Sequence, residues 1–264
     1  MNTLNFQDKV VLITGGAKGV GHGISECYLA QGATVVVCGR SAPENEAELP
    51  RSSASGSERV ADFIPCDIRD VAASQALVDA IVAKYGRLDV LVNNAGGAPH
   101  ALAATASPRF HEKIIALNLT APLTLAQMAN KVMQEQAEGG VIVFIGSVSA
   151  LRPSPGTAAY GAAKAGVLSL VTSLAVEWAP KVRVVGVSPG MVLTDQAHLH
   201  FGDADGIAAI AKTVPMNRLA QPADIGNACV FVSSPLATYV SGSSLTVHGG
   251  GERPAFLDAA NAKV

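Results

Sequence analysis

Short apolar runs rich in β-branched residues alternate along the chain with longer stretches of helical periodicity. The runs fall at Val10–Thr14, Thr34–Cys38, Val60–Pro65, Leu88–Val92, Val141–Ile145, Val182–Val187 and Ser244–Val247. Between them lie helix-like segments at Ile24–Gln31, Val71–Tyr85, Phe110–Gln136, Ala158–Trp178 and Ala223–Ser233. Several runs are apolar at every position rather than at alternate ones, as parallel strands buried on both faces are. Repeated strand–helix units predict right-handed crossovers and an α/β fold: a Rossmann-like, doubly wound parallel sheet of about seven strands with helices on both faces. No internal repeat or clean linker interrupts the pattern, so one dinucleotide-binding and catalytic domain is expected over residues 1–264. The polar stretch Ser41–Glu58 breaks the rhythm and reads as a mobile surface loop. A short helix starting near Asn45 would be ended by Pro50.

Composition narrows the function classes. Hydrophobic residues make up 49% and charged residues 15%, which excludes a disordered chain and points to a heavily buried sheet or a large subunit interface. A net charge of −2 leaves no basic footprint for nucleic acid. Met1–Lys9 has no apolar run behind a basic start, and no apolar stretch is expected to reach the length of a membrane span. A cytoplasmic protein with no membrane partner is the expectation. The cysteines Cys27, Cys38, Cys66 and Cys229 show no metal-like or CxxC spacing, so buried thiols in a reducing compartment are expected, and no metal.

Directly after the first strand stands Thr14-Gly15-Gly16-Ala17-Lys18-Gly19-Val20-Gly21, and then a helix. Side chains at the glycines would block backbone N–H groups from a pyrophosphate, and a tight strand-to-helix turn often needs positive φ. The start of the following helix adds partial positive charge. The spacing is GxxxGxG rather than GxGxxG, and its place in a strand–helix unit strengthens it as a phosphate cradle.

With this loop the chain resembles the single-domain short-chain dehydrogenase/reductase family, whose fingerprint is TGxxxGxG. Further along, Asn93-Asn94-Ala95-Gly96 matches the family's NNAG, Tyr160 to Lys164 its YxxxK, and Pro189-Gly190-Met191-Val192-Leu193-Thr194 its PGxxxT. Ser147 stands thirteen residues before Tyr160, the family's usual interval. The resemblance runs nearly end to end. It implies an oxidoreductase that moves hydride between a nicotinamide cofactor and a carbonyl or secondary alcohol. It also implies a homotetramer.

The end of the second strand bears on the choice of cofactor. A carboxylate there would bind the ribose 2′-hydroxyl and repel a 2′-phosphate. The chain has Cys38-Gly39-Arg40 and no acid. Arg40 offers a planar fork suited to phosphate, and Lys18 in the glycine loop adds a second positive charge. NADP(H) is therefore expected. By the resemblance, Gly15, Gly19, Val20, Gly21, Asn94, Ala95 and Gly96 also line the cofactor site, and Asp67 and Ile68 face the adenine. Asp67 is alternatively a helix N-cap, although Asp70 suits that role better.

Tyr160 and Lys164 are four residues apart in a helical stretch and share one face. A free tyrosine, with pKa near ~10, is a poor base at neutral pH. An ammonium about 5 Å away at an effective dielectric of about 20 would favour phenolate by roughly 3 kcal/mol. Ser147, following a buried strand, would hold the substrate oxygen toward Tyr160, with Ser149 as a competitor. The resemblance makes Asn118 the fourth catalytic residue, holding a water on a proton relay with Lys164. It has Lys164 also grip the nicotinamide ribose. Pro189, Gly190, Val192 and Thr194 would line the nicotinamide end, Val192 and Thr194 fixing the carboxamide.

The chain departs from the family at Gly186, where asparagine is usual, and at His248, where aspartate is usual. The first is expected to alter packing rather than chemistry. The segment after Thr194 should form a lid, with Met191, Leu193, Leu199 and Phe201 giving an apolar pocket and Arg152 a charged rim. The histidines His198 and His200 have no recognisable third metal ligand. The tail Glu252–Val264 has no assigned role. Acyl-carrier-protein reductases of the family often carry arginines where this chain has Gln134 and Val176, yet a 3-oxoacyl-thioester reductase stays an alternative. A non-catalytic NADP(H)-sensing protein is another, opposed by the intact Asn118, Ser147, Tyr160 and Lys164. A small carbonyl or alcohol is the expected partner.

Overall fold

The computed structural model of the protein describes residues 4–54 and 56–259. Parts of three sequence expectations lie outside them: the first three residues, Ser55 in the polar stretch, and residues 260–264 of the tail.

The chain opens with β1 (Val10–Thr14), α1 (Gly19–Ala30) and β2 (Thr34–Gly39). A two-strand hairpin follows, β3 (Arg51–Ser52) and β4 (Arg59–Val60), and then β5 (Asp62–Pro65), α2 (Val71–Tyr85) and β6 (Val90–Asn93). Next come α3 (Pro108–Ile115), α4 (Ala121–Glu135), β7 (Gly140–Ile145), α5 (Ala158–Trp178) and β8 (Val182–Pro189). The described chain ends with α6 (His198–Phe201), α7 (Ala204–Thr213), α8 (Pro222–Ser233), β9 (Ser244–Val247) and α9 (Ala255–Ala259).

Seven strands form one sheet in the order β5-β2-β1-β6-β7-β8-β9, and every neighbouring pair is parallel. The order reverses at β1, which lies between β2 and β6. Such a reversal opens a crevice beyond the carboxyl ends of the strands, where ligands of open α/β sheets bind.

Consecutive residues of each strand feed different cores. Leu12, Val36, Leu91, Ile142 and Val184 meet Leu77, Leu125, Met133 and Val171 from α2, α4 and α5. Val11, Ile13, Val35, Val92 and Val185 meet Ile24, Tyr28, Ile225 and Cys229 from α1 and α8. This is why the strand runs are apolar throughout. The Tyr28 hydroxyl, buried in the second core, donates to the Cys229 carbonyl at 3.0 Å, so its polar atom is satisfied. Asp70 caps α2 by accepting from the Ala73 N–H at 3.0 Å, as expected.

Several boundaries differ from the sequence pattern. The Val60–Pro65 run divides, its first residue pairing in the hairpin and residues 62–65 joining the sheet. The Leu88–Val92 run begins at Val90, because Leu88 and Asp89 bind Gln136 and Val10 instead. The helix expected over Phe110–Gln136 is broken: residues Ala116–Thr120 form a π-helical turn with Asn118 at its centre. Periodicity misses this, since one inserted residue barely disturbs the apolar pattern, while π-bulges collect at functional sites.

The Ser41–Glu58 stretch is more ordered than a plain loop. Asn45 caps a 3-10 turn at Glu46–Glu48, Pro50 is buried, and the β3–β4 hairpin follows. Leu49 packs on the second core, which supplies the reason for order. Contrary to expectation, one segment does reach membrane-spanning length and apolarity: α5, with mean hydropathy 1.4. It packs Val167, Val171 and Leu174 into the first core and carries Tyr160 and Lys164.

Candidate active site

The glycine loop is shaped for close approach. Gly15 and Gly19 have φ of 64° and 52°, where a side chain is strained. A Cβ on Gly21 would lie 2.2 Å from the Gly15 carbonyl oxygen. The Ser25 hydroxyl, fully buried, sits 2.9 Å from the carbonyls of Gly16 and Gly21 and fixes the turn. The first turn of α1 has neither a carboxylate nor a side-chain cap, so its N–H groups face the crevice unclaimed by the side chains that usually occupy a helix start.

The loop after β6 is stitched to this turn. The Thr14 hydroxyl oxygen accepts from the N–H groups of Asn94 and Ala95, and the Asn94 amide donates to the Thr14 carbonyl at 2.8 Å. A Cβ on Gly96 would lie 2.6 Å from Asn118 Oδ1 and 3.4 Å from Lys164 Nζ. Glycine at 96 thus lets the backbone pass over both side chains. Asn118 is fully buried; it accepts from the Gly97 N–H at 2.8 Å and donates to the carbonyls of Gly97 and Ile114.

Tyr160 and Lys164 project from α5 beside the carboxyl end of β7. Lys164 Nζ lies 5.6 Å from the Tyr160 ring centroid and donates to the Ile145 carbonyl at 2.7 Å. Burial brings its pKa down to about 8. Tyr160 is raised above the ordinary phenol value, because burial outweighs a hydrogen bond with Ser147. This corrects the expectation that Lys164 lowers the phenol in the ligand-free protein. The ammonium lies toward the ring and is itself desolvated, so its field does not offset the loss of water around the phenol. The Ser147 oxygen also accepts from the Ser149 N–H at 3.1 Å, which orients it.

At the other end of the crevice Arg40 is exposed and Asp67 faces it. Asp67 is not a helix cap. Arg69 grips it in a bidentate pair, with Nε at 2.9 Å and Nη2 at 2.5 Å, and holds its carboxyl down to about 2. Arg69 was not singled out in the sequence; its place two residues after Asp67 is the only signal. Glu48, carried in by the ordered 41–58 stretch, also lines this end, and nothing in the sequence marked it.

The turn at Pro189–Thr194 is tied to two remote strands of chain. Gly190 N–H donates to Val247, Leu193 N–H to Ala220, and Ala220 N–H to Met191. Thr194 faces Gly19 across the crevice. Gly186 is explained by its neighbour: a Cβ there would fall 2.6 Å from the Ser244 oxygen on β9. Leu199 is exposed and does not line the site, contrary to expectation, whereas Met191, Leu193 and Phe201 do. The four-residue α6 turns Leu199 outward.

The glycine loop, the Ser147–Tyr160–Lys164 group, the adenosine-end charges and the Pro189–Thr194 turn border one open cleft of about 1850 Å³. Every residue expected at the cofactor or catalytic site lines it, except Asn118, which lies beneath its floor. Among the described residues no cluster of three or more His, Cys, Asp or Glu side chains is arranged to hold a metal. All four cysteines are unpaired. The glycine cradle, with no room for a Cβ at Gly16 or Gly21, suits a dinucleotide phosphate, and the hydroxyl pair beside a buried ammonium suits proton transfer to a carbonyl oxygen. Such a fold and site define a nucleotide-dependent oxidoreductase.

Residues 15–252 match the family described as Enoyl-(Acyl carrier protein) reductase. D-threitol dehydrogenase of Mycolicibacterium smegmatis is 36% identical, with 92% of each chain covered. The 3-oxoacyl-(acyl-carrier-protein) reductase of Escherichia coli is 32% identical, covering 94% of this chain and 98% of that one. A 7 alpha-hydroxysteroid dehydrogenase solved with NADH and 7-oxo glycochenodeoxycholic acid superposes with a TM-score of 0.85 at 32% identity, covering 96% and 97% of the two chains. The chain belongs to the short-chain dehydrogenase/reductase family, oxidoreductases that move hydride between a nicotinamide cofactor and a carbonyl or secondary alcohol.

Proposed function

We propose that this protein is an NADP(H)-dependent reductase and dehydrogenase acting through Tyr160, as one domain over residues 1–264. The observation that carries the reading is the meeting of Ser147, Tyr160 and Lys164 in the cleft that the glycine loop opens. When bound, the nicotinamide supplies or accepts the hydride. Ser147 and Tyr160 hold the substrate oxygen between their hydroxyls. Tyr160 gives it a proton in reduction and takes one in oxidation. Lys164 would hold the ribose and stand on the proton relay to Tyr160, with Asn118 holding a relay water behind it. Val192 and Thr194, which line the cleft, would fix the carboxamide. Positive charge on an oxidised nicotinamide would add to Lys164 and draw the phenol pKa down, reversing the effect of burial in the free protein.

NADP(H) rather than NAD(H) is supported at the adenosine end. No acid directly follows β2, and Arg40 and Lys18 line the same stretch of cleft, while Arg69 is paired with Asp67 and Glu48 lies at its edge. An acyl-carrier-protein substrate is disfavoured because Val176 is exposed and Gln134 is bound to the Trp178 carbonyl, leaving no cation at either position. A cytoplasmic homotetramer is the proposed working form. The exposed apolar side chains of Phe231, Leu236, Tyr239 and Leu245, near α8 and the edge strand β9, supply the surface it would bury. Light scattering at micromolar concentration tests it; a monomer would refute it.

The deciding experiment for the function is absorbance-monitored turnover of a carbonyl panel with NADPH and with NADH. Tyr160-dependent turnover that favours NADPH in catalytic efficiency is expected. Preference for NADH would refute the cofactor reading, and cofactor binding with no turnover of any carbonyl would refute the enzyme reading.

A further inference from the structure

Arg152 lies in the loop between β7 and α5, five residues after Ser147, and lines the cleft. Its Nη2 is 2.6 Å from Glu252 Oε1, a hundred residues away in sequence. Glu252 does not itself line the cleft. It sits on a segment tied to the end of α7: Met216 N–H donates to the Gly249 carbonyl, and Arg253 N–H donates to Thr213. The start of the tail, to which the sequence assigned no role, therefore holds the one arginine of the catalytic serine's loop.

The rest of this end of the cleft mixes the apolar side chains of Met191, Leu193 and Phe201 with polar groups. Ser149, Ser154 and Thr157 contribute hydroxyls, and Gln196 and His200 add an amide and an imidazole. Ser154 and Thr157 bond one another at 2.6 Å, which leaves hydroxyl lone pairs for a third oxygen. An unpaired arginine here would favour an anionic substrate. Paired with Glu252, it presents N–H donors without net charge. Both side chains are more than a third exposed, so the pair is weak enough for the guanidinium to reorient toward a competing oxygen.

We propose that Arg152 is the substrate-reading residue of this cleft, that Glu252 is its positioning residue, and that the substrate class is a neutral, polyhydroxylated carbonyl or alcohol. This inference rests on the oxidoreductase reading above and adds the substrate class. Guanidinium N–H groups donate to substrate hydroxyl oxygens, while Glu252 cancels the charge that would draw carboxylates. Neither residue touches the reacting oxygen, so both act on substrate binding rather than on proton transfer.

The test uses the full-length enzyme with NADPH and three five-carbon ketones: pentanone, ribulose and levulinate, which are apolar, polyhydroxylated and anionic. Wild type should favour ribulose over both others by about tenfold or more in kcat/KM. Glu252→Gln should lower the KM for levulinate and raise it for ribulose, with kcat little changed. Arg152→Gln should raise the ribulose KM without any gain for levulinate, and Glu252→Asp should restore the wild-type order. A merely structural pair would move all three substrates in parallel, and that result overturns the proposal. Preference for pentanone overturns it too, while leaving the reductase reading intact. If none of the three is turned over but other carbonyls are, the substrate class is wrong and the enzyme reading stands. If no carbonyl is turned over at all, both fall.

Discussion

At the dinucleotide end of the cleft, the turns after β1 and β6 hold one another through Thr14 and Asn94, and Ser25 fixes the glycine loop from behind. At the substrate end, the walls come from the β7–α5 loop and the short helix α6, and an exposed ion pair ties the loop to the C-terminal segment behind it. The first end is held by side-chain-to-backbone hydrogen bonds and has no room for a Cβ at Gly16 or Gly21. The second is half-open and mixes apolar with polar side chains, and its contacts reach across a hundred residues of chain. Close packing is concentrated around the glycine loop, the part shaped for a dinucleotide phosphate. The end that must differ between substrates hangs on weak contacts that can be exchanged.

Removing the proton donor should separate the two ends most sharply. Tyr160→Phe is expected to cut turnover by about 10²–10⁴-fold, the usual worth of a positioned acid or base, while NADPH binding stays near wild type. Stopped turnover with unchanged cofactor titration is the pattern to look for. Activity within about tenfold of wild type would remove Tyr160 from the chemistry.

Filling the cradle comes next in size. Gly21→Ala puts a methyl 2.2 Å from the Gly15 carbonyl oxygen and 2.6 Å from the Asn94 amide, so the turn must open. A loss of roughly a hundredfold in NADPH affinity, about 2.7 kcal/mol, is expected by fluorescence titration. An alanine variant with wild-type affinity would show that the loop is not closed on its ligand.

Charge at the adenosine end should matter less. Arg40→Asp is expected to raise the NADPH Michaelis constant roughly tenfold or more, since a charge-assisted contact is worth about 1.5–3 kcal/mol. The efficiency ratio should move toward NADH, and further with Lys18→Ala added. A wild type that already prefers NADH would contradict this account.

The smallest effect is on stability against pH. Lys164 has a folded pKa near 8, below its ordinary value of 10.5. Between these values the unfolded chain binds the proton that the folded chain has released, so folding gains stability as pH rises across that window. The burial penalty is present in full below about pH 8. Lys164→Met should therefore flatten the rise in melting temperature of the ligand-free protein between pH 8 and 10.5. Parallel curves for the two proteins would argue that Lys164 keeps its charge when buried.

The sequence by itself determined the sheet and most of the candidate site. Runs apolar at every position mean burial on both faces, and their alternation with helices implies a doubly wound parallel sheet of about seven strands; the order of those strands was seen only in the fold. The glycine loop was legible because only glycine can occupy its φ values and contacts. Tyr160 and Lys164 were legible because their YxxxK spacing, thirteen residues after Ser147, resembles the family's motif, and a helix puts residues four apart on one face. What tertiary structure alone decided lies where distant segments meet or compete. The π-helical turn at Asn118 leaves the apolar period nearly intact and so is silent in the pattern. Order in the 41–58 stretch depends on Leu49 finding a core built from other elements. Whether Lys164 lowers the phenol depends on how much water both groups lose, and spacing carries no measure of burial. The pairing of Arg69 with Asp67 and of Arg152 with Glu252 depends on side-chain geometry and on the fold bringing charges within reach, because a charge in a sequence specifies its sign but not its neighbour.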